Sequence, residues 1–308
     1  MSGLLHRLLR ALGMGGKGPD RLNRTVIHLP ADLREPNGLV LFSGPMESDV
    51  WPALFLCNSL QKEFRETELN VICPERDHRL FNMLNLRPSI HRYSGKPEVP
   101  ESLDRDKLSG SALLFYPYSR VIESDIDILL HSRCGIRIAP LKDRSKLINL
   151  TVRTQSPYFP EKLEQMCAAL GLSYDRQWKP VVRTHVKRAA EQKMAPVTGR
   201  MLPYIVTTSA ALAVLERSRA EIPLRTVCLS GKNTDLSGLD RELKTAIVAG
   251  ASAVATDNDD LWGDACAFGV PVVGLDRAGD FIKWHGAEAS SQEADFVDAW
   301  VKLLRKGW

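Results

Sequence analysis

Two loops in this sequence of 308 residues hold carboxylates, small polar side chains and glycine at spacings that could do chemistry. The first, Ser43-Gly-Pro-Met-Glu-Ser-Asp49, follows an apolar run and leads into an apolar helical stripe. Asp49 has two readings. As a helix cap it satisfies free amides and is worth about 1 kcal/mol; as a cleft carboxylate it could take a proton from an attacking hydroxyl. The second loop is Thr256-Asp-Asn-Asp-Asp-Leu-Trp-Gly-Asp264, ahead of Ala265-Cys-Ala-Phe-Gly-Val-Pro271. A strand that ends in small polar residues and opens a helix with outward amides is a general anion-binding device. Here the loop also carries Asp257, Asp259, Asp260 and Asp264. Together these acids repel a diphosphate unless some point away, a divalent ion bridges them, or no phosphate binds. The plain alternative keeps Asp and Asn as turn formers and a helix cap.

The elements that must position these loops alternate. Gly38 to Ser43 reads as a buried strand, Val50 to Phe64 as a helix, Leu69 to Pro74 as a strand, Arg79 to Leu84 as a helix, and Ile90 to Tyr93 as a short edge-like strand. Ser111 to Pro117 and Cys134 to Ala139 add strands around a helix from Ser124 to Ser132. A helix from Pro157 to Leu170 has Pro160 in its first turn and Gly171 just past its end. The basic, apolar-poor stretch 178–203 reads as a connection. Strands at Tyr204–Thr208, Thr226–Gly231, Ala253–Thr256 and Val270–Leu275 then alternate with helices at 210–219, 239–249, 261–268 and 294–304. Such alternation predicts an α/β protein with parallel sheets covered on both faces. Ligands of such sheets bind beyond the carboxyl ends of the strands, and between lobes where there are two.

The division expected is an amphipathic N-terminal helix with a glycine-rich hinge (1–24), a first Rossmann-like lobe (25–177), a linker (178–203) and a second Rossmann-like lobe (204–308). With 44% apolar and 25% charged residues the chain is long enough for two cores. A net charge of +4 on 41 basic and 37 acidic residues gives no general case for a nucleic-acid partner. Six cysteines are scattered without a C-x-x-C pair, which suits a reducing cytoplasm. No two histidines stand at i+3 or i+4, so no metal site is expected from them. Leu4, Leu5, Leu8, Leu9 and Leu12 share one helical face opposite His6, Arg7 and Arg10. That segment has two uses: peripheral contact with the inner membrane through residues 1–12, or docking on protein. Lys142 to Lys146 and Lys179 to Arg188 are basic runs that read either as solvated faces or as attractors of an anionic lipid or nucleotide. Trp284, in Lys283-Trp-His-Gly286, reads as a stacking platform for a base or sugar, or as core.

Taken together, residues 38 to 304 resemble the lipopolysaccharide heptosyltransferases, bacterial glycosyltransferases of GT-B architecture. Ser48-Asp-Val-Trp-Pro-Ala-Leu54 is similar to the family's Gly-Asp-x-x-x-x-x-Pro-Ala-Leu, and Arg133-Cys-Gly-Ile-Arg-Ile138 to the strand closing its first lobe. Glu161 to Gly171 resembles the helix before its linker, and Ala253 to Leu275 its donor signature, roughly Asp-Ser/Thr-Gly-x-x-His-Leu-Ala-Ala-Ala-Leu-Gly-x-Pro. The resemblance implies two Rossmann-like lobes facing a central cleft, with inverting transfer from a nucleotide-sugar to a cell-envelope glycan or glycolipid. It places the base at Asp49 and the donor loop at Thr256, Asp257, Asn258, Asp259, Asp260 and Gly263. No metal or cofactor is required by it, although the acidic loop leaves magnesium open. The sequence departs from the signature where the chemistry sits. Asn258 stands at the family Asp, Asp260 at the Gly and Gly263 at the His, and Thr207-Thr-Ser-Ala-Ala leaves no room for the long loop with a basic residue that engages donor phosphate. These losses leave a second expectation open, a GT-B body that acts as a binding or scaffold protein without turnover.

Overall fold

The computed structural model describes residues 33, 36–44, 50–95, 101, 103, 112–141, 146–198, 203–223, 226–230, 236, 238–279, 281, 283–284 and 287–306. The amphipathic segment 1–12, the glycine-rich hinge, Asp49 and most of the Lys142 to Lys146 run lie outside these residues. In the first lobe the order is β1 (Leu39–Phe42), α1 (Val50–Glu63), β2 (Leu69–Pro74), α2 (His78–Met83), β3 (Ser89–Tyr93), β4 (Leu113–Phe115), α3 (Ile126–His131), β5 (Ile136–Ala139), β6 (Leu150–Thr151) and α4 (Phe159–Ala169). All ladders of its sheet are parallel, in the order β3-β2-β1-β4-β5-β6. The edge position expected of the third strand is where it lies. β6, only two residues long and half-exposed, carries too little apolar pattern to be read from sequence.

The stretch expected to be a connection holds a helix, α5 (Thr184–Thr198). Its Val186, Ala190 and Met194 recur at i, i+4 and i+8 and are buried. The cations between them hide this stripe in the sequence. The second sheet follows with β7 (Ile205–Thr208), α6 (Ser209–Arg217), β8 (Thr226–Ser230), α7 (Arg241–Ala249), β9 (Ala253–Thr256), α8 (Asp259–Phe268), β10 (Val272–Leu275), β11 (Glu288–Ser290) and α9 (Glu293–Arg305). It too is wholly parallel, ordered β11-β10-β9-β7-β8. Two parallel Rossmann-like sheets make this a GT-B-like α/β protein.

In each sheet one pair of neighbouring strands marks where the winding reverses: β1 and β4 in the first, β7 and β9 in the second. Beyond the carboxyl ends of such pairs an open sheet offers its crevice. The helices that follow β1 and β9 both run back from that end, and they meet. Every residue of α1 from Val50 to Leu60 is buried, because the helix lies on β1 and β2 with one face and against α4 and α8 with others. A helix apolar all round is what burial on every side requires. Leu39, Leu41 and Trp51 of the first lobe and Val206, Ile247 and Trp262 of the second belong to a single core. Separate clusters cover the outer faces, around Phe42, Leu114 and Leu129 in one lobe and Val214, Phe296 and Trp300 in the other.

Candidate functional site

At the first reversal point the chain leaves β1 through Ser43, whose carbonyl accepts from the Tyr93 hydroxyl at 3.1 Å. The next amide, Gly44 N–H, donates to the Tyr118 hydroxyl, and a Cβ at Gly44 would stand 3.2 Å from that ring. Phe42, Tyr93, Tyr116 and Tyr118 stack or meet edge to face around this exit. The Tyr116 hydroxyl donates to Asp125 at 2.6 Å, a buried carboxyl whose pKa burial raises and hydrogen bonds partly restore. Asp49, the candidate base on this loop, lies outside the described residues.

At the second reversal point Thr208 ends β7 and Thr256 ends β9. The Thr208 hydroxyl caps α6 by accepting from the Ala211 amide at 3.3 Å and donates to the Asp257 carboxylate across the gap between the strands. β7 passes directly into α6, so the loop that would carry a basic phosphate clamp is absent between them. Thr256 is fully buried, and its hydroxyl accepts from the Asn258 amide at 2.9 Å. Asn258 is the cap of α8: its side-chain oxygen accepts from Leu261 N–H at 3.0 Å, in place of an outside anion. Asp259 and Asp260 occupy the first helical turn, where carboxylates complement the helix dipole. The C-terminal end of α8 closes at Gly269, φ 70°, a left-handed position that favours glycine.

The most heavily bonded carboxylate of the loop is Asp264. Its side chain is wholly inaccessible to solvent. It accepts from Trp51 Nε1 at 3.0 Å, from Thr245 Oγ1 at 2.9 Å and from both terminal nitrogens of Arg241, one of them at 2.7 Å. Arg241 also pairs with Asp260 at 3.3 Å. Burial alone would lower the pKa of this guanidinium; Asp264 and Asp260 outweigh that and raise it, so it stays charged. Trp51 belongs to α1 and the other members to the second lobe. Its ring lies against Gly263, where a Cβ would come within 2.8 Å of Cδ1, and meets Phe268 edge on at 5.6 Å. Gly263, aligned with the family's histidine, is the small residue that admits this ring.

Of the residues expected at the donor loop, Thr256, Asp257 and Asn258 gather at the end of β9, with Asp259 and Asp260 beginning α8 and Gly263 one turn further on the face toward Trp51. Thr208, Trp51, Arg241 and Thr245 complete the arrangement, and sequence reasoning does not reach them as site residues. Only Trp51 carries a signal, its place two residues after Asp49. Trp284 is core: it packs on Phe159 at 4.4 Å and Phe55 at 5.8 Å. Beside it, the Phe159 amide donates to the Lys283 carbonyl at 3.1 Å, a second tie between the lobes. Among the described residues no group of three histidine, cysteine or acidic side chains is arranged to hold a metal ion. Nor is any helix there long and apolar enough to cross a membrane. The six cysteines are free thiols, four of them buried, and burial pushes Cys134 and Cys167 up to about 12.

No protein-family model matches the sequence, and no curated protein matches it. Solved structures do. Escherichia coli ADP-heptose lipopolysaccharide heptosyltransferase II is 14% identical, with 87% of this chain and 99% of that one covered at a TM-score of 0.50. Escherichia coli heptosyltransferase WaaC, solved with ADP-2-deoxy-2-fluoro heptose, is 11% identical, with 88% and 99% covered and a TM-score of 0.55. A family 9 glycosyl transferase from Veillonella parvula is 10% identical, with 89% and 99% covered and a TM-score of 0.54. The resemblance to heptosyltransferases is therefore one of fold, and it spans both lobes.

Proposed function

We propose that this chain is a glycosyltransferase-like protein of GT-B architecture that works as a binding or scaffold protein and does not transfer sugar through the donor loop of its structural relatives. One observation carries the reading: the groups at the start of α8 that would grip a diphosphate already serve the protein. Asn258 fills the cap, Asp257 takes the Thr208 hydroxyl, and Arg241 is committed to Asp260 and Asp264. Transfer requires donors aimed at the departing diphosphate, and loss of one well-placed donor costs roughly 3–4 kcal/mol of transition-state stabilisation. With carboxylates in their place, the local field opposes the leaving group.

The coverage of both lobes favours a second reading, in which the enzyme architecture is still in use. In it Asp49 deprotonates an acceptor hydroxyl of a lipopolysaccharide-type or other envelope glycan. That oxygen attacks the anomeric carbon of a nucleotide-sugar of the ADP-heptose class with inversion, while the amides near Thr256 to Asp260 hold the leaving diphosphate. Calorimetric titration with ADP, UDP and GDP, each with and without magnesium, separates the two. The binding-protein reading expects no heat attributable to any nucleotide. Saturable binding that Asp257→Asn alters, followed by sugar transfer that Asp49→Asn abolishes without weakening the nucleotide, would establish the transferase instead.

A further inference from the structure

Where the chain passes from α4 into α5, outside the donor loop, the surface holds a groove of about 890 Å³ lined by no acidic side chain. Lys179, Arg183, His185 and Arg188 line it together with the Trp178 indole and Val181. Between residues 179 and 193 there are five lysines and arginines and one acid, Glu191, which does not line the groove. Arg183 is held in place rather than neutralised: its amide donates to the Met83 carbonyl at 3.1 Å and its guanidinium to the Asn85 side chain at 3.1 Å. Among the described residues Lys179 and Arg188 form no ion pair. The first turn of α5 contains no acid either, so the positive end of a helix of fifteen residues adds to the cationic field.

The apolar part of the groove narrows the choice of occupant. Val181 is 72% exposed, the one large hydrophobic side chain so displayed among the described residues. It shares the groove lining with Lys179, Arg183 and Arg188. Trp178 is anchored from beneath by Phe55, ring centres 4.9 Å apart, so its position is fixed before anything binds. A groove that pairs an exposed valine with cations presents two chemistries to an occupant. A small free anion has no use for the valine, whereas an interface with anionic headgroups above acyl chains serves both kinds of side chain.

We propose that this groove docks the protein on an anionic phospholipid surface, with Lys179, Arg183 and Arg188 against lipid phosphates and Val181 inserted among the headgroups. The docking is independent of whether the donor loop binds a nucleotide. Co-sedimentation of the full chain with vesicles of phosphatidylcholine alone, or mixed with phosphatidylglycerol, reads it directly. Partitioning is expected on the mixed vesicles and not on phosphatidylcholine, and is expected to fall as salt is raised. Removing one cation from the lipid surface should lower the partition coefficient about fivefold, so Arg188→Glu should weaken it strongly. Lys193→Glu changes the net charge equally on the same helix outside the groove and should weaken it less. Val181→Asp should also lower it. All three positions are exposed, so unchanged thermal melting verifies the fold of each variant. Absence of vesicle binding by the wild type overturns the proposal, as does equal binding by wild type, Arg188→Glu and Val181→Asp. Equal losses from Arg188→Glu and Lys193→Glu would reduce the effect to net charge, and release by millimolar inorganic phosphate would make the groove a small-anion site; either result refutes lipid docking.

Discussion

The start of α8 and the head of α5 both concentrate charge, and they differ in where that charge is answered. Around α8 the carboxylates of Asp257, Asp260 and Asp264 are bonded to Thr208, Arg241, Thr245 and Trp51, all from the same chain. Around α5 the ammonium of Lys179 and the guanidinium of Arg188 face a groove with no acid in it. A run of like charges in a sequence is therefore no guide to ligand binding until its partners are known. The acidic run is answered mostly inside the second lobe, with Asp264 alone reaching Trp51 of the first as a clasp between lobes, and the basic run is a surface waiting for an anion.

Asp264 is the carboxylate with the most partners to lose. Removing one partner of a buried ion pair leaves the other charge uncompensated, at a cost of about 3–5 kcal/mol. Asp264→Ala is expected to lose stability on that scale in chemical denaturation, because Arg241 keeps only Asp260 and Trp51 loses its acceptor. A loss below about 1 kcal/mol would mean that the carboxylate is not structural, and would reopen the donor loop as a ligand site.

Asp77 sharpens the same contrast as the least well answered acid beside the clasp. It is fully buried at the turn into α2, with Arg76 Nε 3.6 Å from its carboxylate. Burial raises its pKa from 3.8 to about 6, against the opposing pull of Arg76 and Arg241. The folded state thus holds this proton more tightly than the unfolded chain, so stability falls as pH rises from about 4 to about 6, and the penalty is complete above that. The gap corresponds to about 3 kcal/mol. Asp77→Asn should melt higher than the wild type at pH 7.5, and the difference should vanish toward pH 4. A difference independent of pH would show that the carboxyl is not the cause.

Much of this arrangement is legible in the sequence, and the residues themselves explain where it is not. Strands such as Leu39–Phe42 and Ala253–Thr256 are continuous apolar or small runs, α1 opens on a long, mostly apolar run and α9 carries a periodic stripe, so the alternation and both parallel sheets can be read locally. β6 and β11 cannot: Leu-Thr and Glu-Ala-Ser hold no pattern longer than the noise of a loop. α5 is hidden by lysines and arginines between its buried positions. At the candidate site the local chemistry is visible, since Asn258 as a cap and Asp259 and Asp260 in a first turn need only neighbours in sequence. The clasp is not, because Trp51 and Asp264 are 213 residues apart. No spacing rule connects a tryptophan after the first strand to an aspartate in the helix after β9; only the packing of α1 on α8 does.

That packing has a residue on which the reading turns, Gly263. In a solvent-facing helix a glycine replaced by alanine gains about 1 kcal/mol from propensity alone. Here the added methyl would stand 2.8 Å from Trp51 Cδ1, and the ring cannot yield, being fully buried between Phe55, Phe268 and its bond to Asp264. Overpacking of this kind costs about 1–3 kcal/mol. Net of the propensity gain, Gly263→Ala is therefore expected to destabilise by up to about 2 kcal/mol. In a Trp51→Ala background, where the methyl has room, the same change should become neutral or stabilising. The coupling between the two positions in a double-mutant cycle is the quantity that decides. If Gly263→Ala has the same effect with and without the tryptophan, then Trp51 does not seat on α8, the lobes are not clasped there, and the space between them is free for a donor.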